Sequence, residues 1–254
     1  MRIAQTALDH IVSPLSLLTS LPFTRRRIEI SAAGYALFPI VGLLIGAILL
    51  VVDYLAHIIF PSTVSSALVV VALAALTGAL HLDGLADSAD GLFGGHDRER
   101  RLAIMRDPHN GAFGFVAVAT ILLLKWAALI PLEGWLRTGS LLLVPALSRW
   151  SILLPMLVFP AARDEGMAVA ARSIFGWSQA VLGSAVTVGI SLAIFWPAGT
   201  VLLAPALIAA LLIGIYSTRR LGGVTGDVLG SMVEVNEVML LLFAATSVSH
   251  PWLT

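Results

Sequence analysis

Ala36-Leu-Phe-Pro-Ile-Val-Gly-Leu-Leu-Ile-Gly-Ala-Ile-Leu-Leu-Val-Val-Asp-Tyr-Leu55 is a run of twenty residues with a single charge, Asp53. A helix needs about 20 apolar residues to cross roughly 30 Å of hydrocarbon, so this stretch reads as a membrane span. Phe113 to Leu132 and Thr200 to Tyr216 show the same character. Strands of a membrane β-barrel would alternate polar and apolar positions over segments of about ten residues. These runs are apolar on every face, which excludes a barrel.

Composition agrees. Of 254 residues, 58% are hydrophobic and 12% charged, against about 25% charged in an ordinary soluble domain. The expected fold class is all-α, a polytopic transmembrane helical bundle with about seven spans. They fall near residues 36–56, 64–80, 112–131, 139–158, 179–196, 200–216 and 228–247, in one integral membrane catalytic domain over residues 1–254. No internal repeat is visible. Ile3, Leu8, Ile11, Val12, Leu15 and Leu18 lie at near-helical spacing, and no signal-peptidase site follows, which predicts an N-terminal interfacial helix. Cysteine is absent, so disulfides, thiolate nucleophiles and Cys-based metal sites are excluded. A formal charge of zero without a charged tail leaves no electrostatic footprint for nucleic acid. The surroundings expected are the lipid bilayer of the bacterial cytoplasmic (inner) membrane.

Orientation follows from the arginines. An N-terminus inside places Arg2, Arg25, Arg26, Arg27, Arg98, Arg100, Arg101, Arg106, Arg163, Arg172, Arg219 and Arg220 on the cytoplasmic side and Arg137 alone outside, with Lys125 and Arg149 within spans. That bias satisfies the positive-inside rule. It also gathers His81 to Asn110, Pro160 to Trp177 and Ser217 to Asp227 on one side, so a shared active site is expected to face the cytoplasm.

The chemistry is concentrated in two acidic stretches. His81-Leu-Asp83-Gly-Leu-Ala-Asp87-Ser-Ala-Asp90-Gly91 spaces three carboxylates at i, i+4 and i+7, within about 60° of one another on a helix. Like charges so placed repel unless a cation joins them, and Mg²⁺ takes carboxylate and phosphate oxygens. The plain alternative is a solvated acidic turn at a membrane boundary. The second stretch, Gly222-Gly223-Val-Thr225-Gly226-Asp227-Val-Leu-Gly230-Ser-Met-Val-Glu234-Val-Asn-Glu237, puts Asp227, Glu234 and Glu237 within about 80°. Charges inside a bilayer are costly, so Glu234 and Glu237 are expected to face a polar cavity, a cation or a basic partner; a purely structural pair of Glu234 with Arg149 is the competing reading. Gly222, Gly223, Gly226 and Gly230 let the backbone bend and approach another group closely, and exposed amides at a helix start attract anions.

Between the clusters, Arg106-Asp107-Pro108-His109-Asn110-Gly111 breaks the chain before a new span. An arginine fork matches phosphate bidentately, yet a juxtamembrane arginine also serves topology or headgroup contact, and spacing leaves Arg106 open between these. His81 is open between metal ligation, proton transfer and a boundary hydrogen bond. Its phase against the aspartates favours orientation or proton transfer over ligation. His10, His57, His96, His109 and His250 sit in terminal or loop contexts and are read as structural or solvent-facing. The chain has no His-Glu-x-x-His, no P-loop and no Gly-x-Ser-x-Gly.

An ordered series of motifs resembles the cobalamin synthase family, adenosylcobinamide-GDP ribazoletransferases, almost from end to end. They are Phe38-Pro39-Ile-Val-Gly42; Thr77-Gly78; His81-x-Asp83-Gly84-x-x-Asp87-x-x-Asp90-Gly91; Met105-Arg106-Asp107 with Gly111 and Gly114; Ser148-Arg149; Arg163-x-Glu165-Gly166; and Gly222-Gly223-x-Thr225-Gly226-Asp227-x-Leu229-Gly230 with Glu234 and Glu237. Ser20, in Thr19-Ser20-Leu21-Pro22, departs from an expected arginine. The resemblance implies transfer of α-ribazole or α-ribazole 5′-phosphate to adenosylcobinamide-GDP, giving a cobamide and GMP, late in cobalamin biosynthesis. It implies Mg²⁺ on Asp83, Asp87 and Asp90, with ligands from Asp227, Glu234 or Glu237, and His81 or a metal-free carboxylate accepting the hydroxyl proton. Arg106, Arg149 and Arg163 would contact the diphosphate or guanine nucleotide, and the Gly223, Thr225 and Gly226 turn would admit substrate. A homo-oligomer is compatible with all of this. A CDP-alcohol phosphatidyltransferase would need Arg where Asp87 follows Ala86, and a cation-coupled transporter would be expected to show repeats and midplane acids.

Overall fold

The structure is a computed structural model that describes residues 12–21, 30–165 and 167–249. Arg2, Arg25, Arg26, Arg27, His10, Gly166, His250 and the start of the expected interfacial helix lie outside the described residues. A short helix, α1, covers residues 12–18. Then come α2 Ala32–Ala36, α3 Phe38–Ile59, α4 Ser62–Leu76, α5 Leu80–Gly94, α6 Arg98–Ile104, α7 Ala112–Leu129, α8 Gly134–Ser151, α9 Leu153–Val158, α10 Met167–Ile174, α11 Trp177–Ile194, α12 Leu203–Leu221 and α13 Gly226–Ser249. The described residues contain no strand beyond one isolated bridge, Ala161 with Val224.

Among the described residues, six helical stretches are long and apolar enough to cross a membrane: α3, α7, α8 with α9, α11, α12 with its 3₁₀ lead-in, and α13. The pair α4 and α5 would make a seventh, but it is bent by 86°. Here the expected span 64–80 is corrected. Gly78 and Ala79 take left-handed φ values of 58° and 56°, which ends α4 at Leu76 and sends the chain off as a new helix. The Oγ of Thr77 donates to the Leu73 carbonyl at 3.1 Å and so closes the end of α4. Ser20, standing where an arginine was expected, donates its hydroxyl to the Ala75 carbonyl at 2.7 Å and helps satisfy the same helix end.

α8 and α13 carry the most buried spans and stand at the centre, with α3, α5, α7, α11 and α12 around them. α3 approaches α8 backbone to backbone, because a methyl at Gly42 would overlap the Pro145 carbonyl and one at Gly46 the Leu141 carbonyl. Apolar side chains interdigitate less decisively in lipid than in water, so small residues that admit a neighbouring backbone set such crossings. Replacing Gly42 with leucine is expected to force α3 off α8 and lower the thermal midpoint in detergent, an overpacking cost of about 1–3 kcal/mol or more. A variant that melts with the parent would show that the crossing is not this close.

Arg137, the one arginine expected outside, carries a structural ion pair. It is buried, donating to both Asp53 carboxylate oxygens at 2.6 and 2.9 Å and to Ser66 at 3.2 Å, so it joins α8 to α3 and α4. His57 is corrected from a loop to the last turn of α3, where its Nδ1 lies 2.9 Å from the Asp53 carbonyl oxygen.

Candidate active site

Two helix beginnings meet to make the site. α5 starts after the left-handed turn at Gly78 and Ala79. α13 starts where Thr225 turns the chain, its hydroxyl accepting from the Val228 amide at 3.2 Å in the manner of an N-cap. The helices cross at glycines: a Cβ at Gly84 would lie 2.8 Å from the Asp227 carbonyl oxygen, and one at Gly230 3.4 Å from the His81 Cα. The crossing brings the two acidic stretches of the sequence together.

Asp87 sits within electrostatic reach of the carboxylates of Asp83, Asp227 and Asp90 and of the Arg163 guanidinium. Arg163 Nη1 lies 3.3 Å from Asp227 Oδ2. Its Nε and Nη2 are buried without a hydrogen-bond partner, so two of its donor groups are unsatisfied in this structure. Asp83 and Asp227 share with His81 the wall of a cavity of about 70 Å³ that also touches α1, α3 and α9. His81 is buried, its Nδ1 has no partner, and it feels the charges of Arg149, Glu237 and Lys125 behind it.

Asp90 points elsewhere. Its carboxylate accepts from the Gly111 amide at 2.7 Å and the Gly114 amide at 2.9 Å, satisfying the otherwise unpaired donors at the start of α7. A methyl at either glycine would overlap that carboxylate, which is why both positions are glycine. Asp90 therefore fixes where α7 begins and still adds to the field at Asp87.

Glu234 and Glu237 form a second, deeper network. Lys125 donates to Glu234 at 2.6 Å and also to Glu237, and Glu237 in turn accepts from Arg149. All four side chains are almost wholly enclosed. The expected structural pair was Arg149 with Glu234; the structure pairs Arg149 with Glu237 and gives Glu234 to Lys125. Arg149 thus has its charge taken up inside the bundle, and Arg106 lies exposed on the α6 to α7 connection. In that connection Asp107 accepts from the backbone amide and ring of His109, bonds that hold its carboxyl below the usual carboxylate range. Gly223 packs against the Pro160 carbonyl, and Gly226 opens α13 on the wall of the cavity. Among the described residues no three His, Asp or Glu side chains converge into a closed metal site.

Lys125 was the residue sequence reading passed over. Its signal was present, since a lone lysine in an 18-residue apolar helix requires a buried partner. A larger cavity of about 460 Å³, bordered by Trp135, Trp196 and Phe243, carries no ionisable side chain.

Residues 10–245 match the family described as cobalamin-5-phosphate synthase. The chain belongs to this family. Among its similar proteins are ones named adenosylcobinamide-GDP ribazoletransferase from Syntrophobacter fumaroxidans, 39% identical over 93% of this chain and 98% of the relative; from Roseiflexus sp. (strain RS-1), 37% over 84% and 79%; and from Desulforamulus reducens, 35% over 90% and 94%. No solved structure matches the chain significantly. The matched residues include both helix beginnings at the acidic crossing and Lys125, Arg149, Glu234 and Glu237.

Proposed function

We propose that the chain transfers α-ribazole, or its 5′-phosphate, to adenosylcobinamide-GDP and releases GMP, at the end of the bundle that faces the cytoplasm. The observation that carries this reading is the convergence of Asp83, Asp87 and Asp227 with a half-satisfied Arg163 in a chain whose relatives bear that activity's name. The orientation rests on the arginine-rich connections. Arg98 and Arg101 reach the Leu221, Ala162, Arg220 and His96 carbonyls, so these loops gather at the acidic end.

Phosphoryl transfer is governed by positioning and by neutralising charge on the transferring phosphate and leaving group. The donor chemistry suits Mg²⁺, an ion that takes hard carboxylate oxygens and substrate phosphates, since the carboxylates here lie in mutual electrostatic reach. Asp83, Asp87 and Asp227 would hold it, and bound there it would neutralise charge on the diphosphate. Asp90 contributes to the same field while capping α7, and Glu234 and Glu237 set the network beneath. Arg163 offers its free Nε and Nη2 donors to the diphosphate, with Arg106 meeting the nucleotide from the exposed loop. His81, at the cavity wall, or a metal-free carboxylate of the cluster accepts the ribose hydroxyl proton.

Purified protein incubated with adenosylcobinamide-GDP, α-ribazole 5′-phosphate and Mg²⁺ is expected to yield cobamide and GMP in equal amounts, followed by chromatography, and to stop on chelation. CMP from a CDP-alcohol, or cation flux without nucleotide release, would overturn the reading.

A further inference from the structure

Arg98, in the first turn of α6, belongs to neither acidic stretch. Its Nε donates to the Leu221 carbonyl at 2.8 Å and its Nη2 to the Ala162 carbonyl at 2.9 Å. Each acceptor sits one step from the site. Leu221 ends α12 and leads through Gly222 to Thr225 and Asp227; Ala162 directly precedes Arg163. The same two segments exchange backbone hydrogen bonds, Ala162 N to the Val224 carbonyl at 2.9 Å and Val224 N to the Pro160 carbonyl at 2.8 Å. Gly222 is left-handed, with φ 80°, and a Cβ there would stand 3.1 Å from Arg98 Nε, so both the turn and the passage of the arginine favour glycine.

We propose that Arg98 is a positioning residue for the transfer reaction: by tying the Leu221 and Ala162 carbonyls together it sets Arg163 against Asp227 and the acidic cluster. This rests on the transferase reading of that site. A guanidinium suits the task because its planar fork serves two separate carbonyls at once, whereas a lysine ammonium is a point donor on a flexible stem. A cation at the C-terminus of α12 is also favoured by the helix dipole. Arg98 is surface-exposed, so its replacement acts on loop geometry and leaves the membrane bundle standing.

The test is a double-mutant cycle with a label. Arg98→Gln is expected to lower kcat for GMP release roughly 10- to 100-fold, the scale of a small misplacement of a reacting-site group, and Arg98→Lys to recover part of it. In an Arg163→Gln background, Arg98→Gln should add less than about threefold, because coupled residues are non-additive. Arg100→Gln, exposed on the same helix, should leave turnover unchanged. The chain lacks cysteine, so a nitroxide at Asp164→Cys reports this loop alone, and Arg98→Gln should raise its mobility without any turnover being measured. Parent-like turnover of Arg98→Gln, a fully additive loss in the Arg163→Gln background, or unchanged label mobility overturns the proposal. Absence of GMP from folded parent protein would instead fail the transferase reading, while the label still shows whether Arg98 anchors the loop.

Discussion

Asp87→Asn is expected to lower turnover about 10²- to 10³-fold, the scale for removing one preorganised electrostatic group from a transfer site, while leaving the thermal midpoint unchanged or slightly raised. Asp87 is half-buried, lies in reach of Asp83, Asp90 and Asp227, and has the Arg163 guanidinium as a nearby counter-charge. Neutralising it relieves repulsion in the resting protein and removes charge from the place where a cation and the diphosphate must be held. Asp90→Asn should behave in the opposite way. The Gly111 and Gly114 amides donate to separate carboxylate oxygens, and in asparagine one of those positions becomes an NH2 facing an N–H, so a cap bond is lost at a cost of about 0.5–2 kcal/mol. GMP release at saturating substrate and thermal unfolding in the same detergent separate the two. Near-parent turnover of Asp87→Asn would remove that residue from the site, and an Asp90→Asn protein that melts with the parent would dismiss the capping role.

Lys125→Met should be the most destabilising single change in the bundle. Among the described residues the lysine makes the direct ion pair with Glu234 and shares Glu237 with Arg149, all of them enclosed. Removing one partner of a buried ion pair strands the other and costs about 3–5 kcal/mol, whereas replacing both members is often close to neutral. The single variant is therefore expected to lose yield and thermal midpoint, and Lys125→Met with Glu234→Gln to recover most of both. If the single variant melts with the parent, Glu234 does not depend on Lys125. If the double variant is no better than the single, the loss comes from packing of the lysine stem, not from stranded charge.

Both predictions turn on placements that linear spacing did not resolve. Asp83, Asp87 and Asp90 share a helix face, and that much follows from a 3.6-residue period. Yet Asp90 is drawn to the amides opening α7, and Asp227, from a helix some 140 residues later in the chain, joins the aspartates around Asp87. Glu234 and Glu237, about two and three turns deeper along α13 than Asp227, meet the lysine of α7 and the arginine of α8. Periodicity orders side chains on one cylinder; it says nothing of which cylinder faces which, or at what depth.

The sequence by itself determined the solvent and the element type. Long runs apolar on all sides, such as Ala36 to Leu55, can satisfy their backbone in lipid only as helices, and the ordered motifs determined the family. The 86° break after Leu76, the crossing at Gly84 and Gly230, and the division of the acids into an open site and a buried ion network were decided by tertiary structure alone. The reason is physical: local propensity acts within about one turn, but the partner of a buried charge is whichever opposite charge the close approach of backbones brings to its depth in the bundle.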